Sequence, residues 1–213
     1  MKIRTHTKLI ITSALVLSLL GPVLPPTLHA AGQLSFTDVK KDSWYEETVQ
    51  WAVSKEMVKG YADGTFKPQQ TVSEAEFLAM LLRAFEPELA TSAQQGHWAD
   101  AYYARAKQLN YPVTGYKELL SRNQPISREQ VAELVTATEG VNFSGDHAIH
   151  YVLAFGLATG KDPNVVSVDS YEGKSALTRA EALQFIKNVS EYGIGGLLER
   201  PVEKNNPLDL PEL

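Results

Sequence analysis

The 213-residue sequence contains no cysteine, which excludes disulfide staples and thiolate chemistry and leaves stability to packing alone. Histidine is scarce: beyond the first 31 residues only His97, His147 and His150 remain. His147 and His150 stand three apart with no Glu between them, so the zinc-protease pattern is missing, and they read as one helix face. Neither a phosphate loop nor a Gly-x-Ser-x-Gly elbow occurs, and no metal or cofactor is expected. Positive charge is also in short supply, with 20 Lys and Arg against 25 Asp and Glu. That balance argues against nucleic acid and anionic membrane as partners.

The longest apolar run, Leu9 to Leu20, falls short of the ~20 residues needed to span a bilayer. Lys2, Arg4 and Lys8 precede it, and the small residues Ala30 and Ala31 follow. This is the pattern of a cleaved secretory signal over residues 1–31, with no membrane attachment after cleavage. Losing the three cations deepens the formal charge of −5 to about −8. The remaining chain is long enough to bury a core without covalent help.

What the sequence does have is one pattern written three times. Val72-Ser73-Glu74-Ala75-Glu76, Ile126-Ser127-Arg128-Glu129-Gln130 and Leu177-Thr178-Arg179-Ala180-Glu181 each place a hydroxyl residue three positions before Glu or Gln, ahead of an apolar-periodic run. That is a capping box followed by its helix. Arg128 and Arg179, just after the cap, put a cation at the positive end of the helix dipole, an unfavourable choice unless an anion sits nearby. Free amides at a helix start are themselves an anion site. The first copy has Glu74 there instead.

The register extends upstream. Trp44 lies 28 residues before Val72, and Trp98 lies 28 before Ile126, whereas Ser144 takes the Trp position in the third copy. Each copy reads as a helix, a Gly with a turn, and then the capped helix, with Gly60-Tyr61, Gly115-Tyr116 and Gly160-Lys161 at the turn. The first helix is expected from about Trp44 to Met57, with Gly60 stopping it. Asp63-Gly64 is turn chemistry, and Asp38 suits a cap for the segment after it. Helix pairs of this size cannot bury a stripe alone, so the copies are expected to pack as one body. The expectation is an all-α fold of three helix-loop-helix repeats, at 32–88, 89–140 (degenerate) and 141–193. A flexible tail over 194–213, loose or draped on the surface, follows.

Phe36-Thr37-Asp38-Val39, then Trp44, then Gly60-Tyr61-Ala62-Asp63-Gly64-Thr65-Phe66-Lys67-Pro68, then a Ser/Thr-Arg-Ala-Glu helix start resemble the S-layer homology repeat. The resemblance implies a pseudo-threefold bundle with grooves between repeats. In that family the grooves hold secondary cell-wall polysaccharide attached to peptidoglycan, often with a negatively charged pyruvylated sugar, and the capped-helix Arg contacts it. Carried over, the ligand-binding candidates are Arg128 and Arg179 with Ser127 and Thr178 beside them, then Gly60, Tyr61, Asp63, Gly64, Trp44 and Trp98. Glu74 departs from the pattern and implies a weak first groove, since an acidic sugar would meet like charge there. The second copy shows Lys117-Glu118-Leu119-Leu120 in place of the Asp-Gly-Thr-Phe loop.

The same residues admit plainer roles. Ser73, Ser127 and Thr178 are helix caps first; Trp44 and Trp98 suit packing as well as stacking on sugar; a helix-start Arg also suits a bridge to a nearby acid. The expected function is a secreted, non-catalytic surface protein of Gram-positive type, held to anionic wall polysaccharide. The alternative is a degenerate module that docks on other surface proteins.

Overall fold

The computed structural model describes residues 36–89, 96–162 and 164–213. The secretory leader expected over 1–31 lies outside the described residues. Those described are all-α: α1 (Glu46–Ser54), α2 (Glu74–Phe85), α3 (Asp100–Gln108), α4 (Arg128–Thr138), α5 (Asp146–Ala154), the short α6 (Val168–Tyr171) and α7 (Arg179–Tyr192). Two 3-10 turns, Leu119–Asn123 and Pro207–Asp209, complete the set. There is no strand among the described residues, only three isolated bridges.

The capping boxes form where the sequence places them. Ser73 with Glu76, Ser127 with Gln130, and Thr178 with Glu181 each exchange side chain and backbone hydrogen bonds at the starts of α2, α4 and α7. The residue before each cap is fully buried and joins a closed ring. Val72 N donates to Leu177 O, Leu177 N to Ile126 O, and Ile126 N to Val72 O, at 3.0–3.1 Å. Each capped helix thereby begins at the same small hub, and its apolar stripe (Phe77, Leu78 and Leu81; Val131, Leu134 and Val135; Leu183, Ile186 and Val189) runs away from that hub into one core. The first helix of each copy packs on a capped helix of another: α3 on α2, α5 on α4, and α1 on α7.

The ends of α1, α3 and α5 differ from expectation. Gly60 does not stop α1, which ends at Ser54 with Glu56 in the left-handed region at φ 55°. Glu56 N reaches Val53 O and Met57 N reaches Ala52 O, the paired bonds of a Schellman motif. Asn110 and Gly156 close α3 and α5 the same way. Gly60 is instead a point of close approach: a Cβ there would lie 2.1 Å from a Phe36 ring carbon. Phe36 packs on buried Phe66 at 5.4 Å, so the ring has little room to yield. Gly60→Ala is expected to destabilise the fold by about 1–3 kcal/mol through overpacking, measured as a lower urea midpoint at unchanged m.

Asp38 is not a helix cap either. Its two carboxylate oxygens accept from the backbone N–H groups of Phe66 and Lys67 at 2.7 and 2.8 Å, pinning the loop that ends the first turn. Residues 194–213 drape across the ends of α3 and α4. Leu198 packs on Gly140, Arg200 donates to Asn110 O and Asn142 Oδ1, and Asn142 pairs with Asn205. His150 Nε2 lies 2.6 Å from Pro211 O, and no metal-ligating cluster forms among the described residues.

Candidate functional site

The position after each cap reaches into the Gly turn of the next copy. Arg128 Nη2 donates to Thr159 O at 3.0 Å, Arg179 Nη2 to Lys59 O at 2.9 Å, and Glu74 accepts from Thr114 and Gly115. The three side chains are thus structurally equivalent, but their surroundings differ.

Arg128 is only 3% exposed. Its Nε donates to Tyr171 O at 2.7 Å and its Nη1 to Glu181 Oε1 at 3.2 Å, while the guanidinium lies over the rings of Tyr171 and Phe185. The open helix-mouth cation expected from sequence is therefore a buried latch. The neighbouring copy's turn covers it, because ordering that turn gives its carbonyls a donor. Arg179 is less enclosed. It sits over Phe66 at 4.6 Å and Tyr61 at 5.4 Å, and its buried Nε meets no acceptor among the described residues. Burial pulls its pKa below the ordinary arginine value, opposed by Tyr61 and Glu76.

The helix-start amides are not free for an anion. Arg128 N and Glu129 N donate to Ser175 O and Gly173 O, and Arg179 N and Ala180 N donate to Gln70 O and Pro68 O. The third amide of each helix goes to its cap: Ser127 Oγ accepts from Gln130 N, and Thr178 Oγ1 accepts from Glu181 N. Thr178 also donates its proton to Glu181 Oε2 at 2.8 Å, which leaves that hydroxyl little to offer a ligand. Glu74, read as a groove residue of the wrong sign, is buried at 3% exposure and does not face a groove. It accepts from Tyr103 OH, Thr114 N, Thr114 Oγ1 and Gly115 N at 2.6–2.9 Å.

An open recess of about 490 Å³ lies beside Arg128. It is lined by Trp44, Arg128, Ala158, Thr159, Gly160, Lys161, Glu181, Gln184, Phe185 and Asn188. Trp44 comes from the first copy, Arg128 from the second and the rest from the third, so the recess exists only in the folded assembly. Trp44 is 58% exposed, and its edge contact with Tyr45 leaves ring surface free. One wall is wired: Thr48 donates to Gln184, Gln184 to Asn188, and Asn188 to Leu157 O. Glu181 is the lone acid of the lining and pairs with both Arg128 and Lys161. Burial raises its pKa, but the bonds from Lys161 and Thr178 outweigh that and set it below the ordinary carboxylate value, so it is ionised at neutral pH.

The remaining candidates do not gather here. Arg179, next to Thr178 at the start of α7, bonds to Lys59 O just before Gly60 and lies over the Tyr61 ring, with Lys67 Nζ 4.0 Å from the centre of that ring. Asp63 and Gly64 build the turn: Asp63 Oδ1 accepts from Thr65 N and Oγ1, bonds that lower its pKa, and Gly64 sits at φ 79°. Trp98, 41% exposed, lines a separate recess of about 280 Å³ with Gln70, Thr71, Ser73, Glu76 and Asn123. A third recess, of about 260 Å³, carries Glu129, Asp146, Asp169 and Glu172 against a single Lys174 and is the wrong sign for an anion.

Residues 35–78 match the family model of the S-layer homology domain. The chain is 30% identical over 175 residues to the middle cell wall protein of Brevibacillus brevis, covering 80% of this chain and 16% of that protein. The chain belongs to the S-layer homology family. The S-layer protein sap of Bacillus anthracis is 26% identical over 208 residues, 85% of this chain and 24% of its own length. Exoglucanase XynX of Acetivibrio thermocellus is 27% identical over 185 residues, 74% of this chain and 16% of the enzyme. This S-layer homology chain thus spans less than a quarter of the length of the curated relatives it matches. Family and relatives place it at the cell surface or cell wall, and among the described residues no helix is long and apolar enough to cross a membrane.

Sequence reasoning missed Lys161, Gln184 and Asn188 as groove residues. Superposing the copies reveals one signal, a Lys at the position where the others carry Tyr61 and Tyr116. Arg122 was missed too. The Leu119–Asn123 turn delivers it, 6% exposed, onto Gly115 O and over the Tyr103 ring.

Proposed function

We propose that this S-layer homology chain holds noncovalently to an anionic secondary polysaccharide of the cell wall, through the recess between its copies beside Arg128, and catalyses no reaction there. The observation that carries this reading is the recess itself: an exposed Trp face, amide side chains and two cations against one acid, contributed by all three copies. Aromatic faces with fixed hydrogen-bonding groups suit a sugar ring, and the excess positive charge suits an acidic substituent such as a pyruvate ketal. A glycosidase needs two carboxyl groups flanking the bond, whereas Glu181 stands alone and is committed to Thr178, Lys161 and Arg128. The ring of hydrogen bonds through Val72, Ile126 and Leu177 supports a pseudo-threefold arrangement of the copies. The names of the relatives, an S-layer protein and a cell wall protein, agree with anchoring.

Sedimentation of the mature chain with wall sacculi tests this. Pelleting is expected with intact sacculi and lost once the polysaccharide is chemically stripped; pelleting that survives stripping would rule the reading out. Trp44→Ala should weaken binding roughly tenfold with little change in stability, because the ring is mostly exposed before binding.

A further inference from the structure

The family resemblance puts the ligand-contacting cation at the capped-helix Arg, but in the recess Arg128 is buried and three of its N–H donors are already engaged. Its Nε, Nη1 and Nη2 go to Tyr171 O, Glu181 and Thr159 O, and 3% exposure leaves it as floor. Lys161 is the other cation of the lining. Its side chain is 38% exposed, and of its three ammonium donors one goes to Glu181. It follows Gly160 at the rim, on the Gly turn that Arg128 ties down through Thr159 O. The lining of the same recess includes Trp44, Gln184 and Asn188.

We infer that Lys161 is the residue that selects the acidic substituent of the glycan in this groove, and that Glu181 holds its ammonium until the ligand anion takes it over. The inference rests on the wall-polysaccharide reading above and adds which side chain reads the charge. Glu181 has two functions on two oxygens. Oε2 completes the capping box of α7, and Oε1 gathers Arg128 and Lys161. A ligand carboxylate arriving at Lys161 competes with Oε1, so Glu181 sets a threshold: a neutral sugar offers nothing to replace the ion pair, whereas an anion does. Arg128 remains on Glu181 when Lys161 leaves, so the acid is not stranded without a cation.

The chain itself supplies the control substitution. Gln130 completes the capping box of α4 where Glu181 does so for α7, so Glu181→Gln keeps the cap while removing the competing charge. The test is titration of residues 32–213 with a pyruvate-ketal glycoside and with its neutral parent sugar, alongside pelleting on intact sacculi. Lys161→Met is expected to lower affinity for the ketal about tenfold while leaving the thermal midpoint nearly unchanged, and Lys161→Arg to restore most of it. Glu181→Gln is expected to bind the ketal severalfold more tightly and to discriminate less against the neutral parent.

The double variant separates contact from neutralisation. In the Glu181→Gln background, adding Lys161→Met should still cost about tenfold if Lys161 touches the anion. If the double variant binds like Glu181→Gln alone, Lys161 only neutralises Glu181 and the inference falls. If wild type pellets in a polysaccharide-dependent way but Lys161→Met binds the ketal as wild type does, the inference falls and the anchoring reading stands. If wild type binds neither sacculi nor ketal, both fall.

Discussion

Glu74→Ala should unfold the protein more readily than any surface change, by about 3–5 kcal/mol, seen as a large drop in the urea midpoint of residues 32–213 by far-UV circular dichroism. The carboxylate is 3% exposed and accepts from Tyr103 OH, Thr114 N, Thr114 Oγ1 and Gly115 N. Truncation leaves those four donors without their acceptor in a site closed to water. Glu74→Gln should cost less, about 1–2 kcal/mol, since one oxygen survives while the new amide nitrogen faces donors. Glu74→Arg, which writes into the first copy the residue the others carry, should be as harmful as Ala or worse. The Thr114-Gly115 turn presents N–H and O–H groups, and Arg122 already donates to Gly115 O. A Glu74→Arg chain as stable as wild type would contradict this account of the latch.

Arg128→Ala should cost about 2–4 kcal/mol and abolish wall binding together, because one side chain closes the fold and floors the groove. Its loss leaves Tyr171 O and Thr159 O without a donor and frees the turn that carries Lys161. Arg128→Lys should recover only part of the stability, since an ammonium cannot reproduce the planar fork that serves three acceptors and lies over Tyr171 and Phe185. The contrast with Lys161→Met is the useful one. Both should weaken binding, but only the Arg128 variants should shift the unfolding midpoint. Arg128→Ala unfolding at the wild-type midpoint would overturn its assignment as a latch.

Much of the architecture was legible because its signals are local. A hydroxyl residue three before Glu or Gln is a cap whatever lies around it, and α2, α4 and α7 begin at Ser73, Ser127 and Thr178 as read. The ends of the other helices were not legible. Glu56 and Asn110 occupy left-handed positions that usually go to glycine, and Gly60, a few residues on, carries the stop signal that they do not. Arg128 misled for a related reason. A cation in a helix's first turn looks exposed on a single-helix view, and what buries it is the Thr159-Gly160 turn of the next copy, more than thirty residues along the chain. The same neighbour supplies the carbonyls that fill the helix-start amides. Trp44 and Arg128 were both chosen from sequence, but nothing in their spacing says that they share a recess, since that depends on all three copies closing on one hub. Lys161 was visible only by comparing copies: the second and third differ at the residue after the turn Gly, and the difference is a charge.

The central claim is that this recess takes an acidic wall glycan because of its charge. Calorimetric titration of residues 32–213 with polysaccharide released from the wall, intact and after removal of its acidic groups, tests that claim most directly. The account predicts binding of the intact polymer that weakens with salt, and affinity at least about tenfold lower for the neutralised polymer. Equal affinity for the two, or binding indifferent to salt, would contradict it.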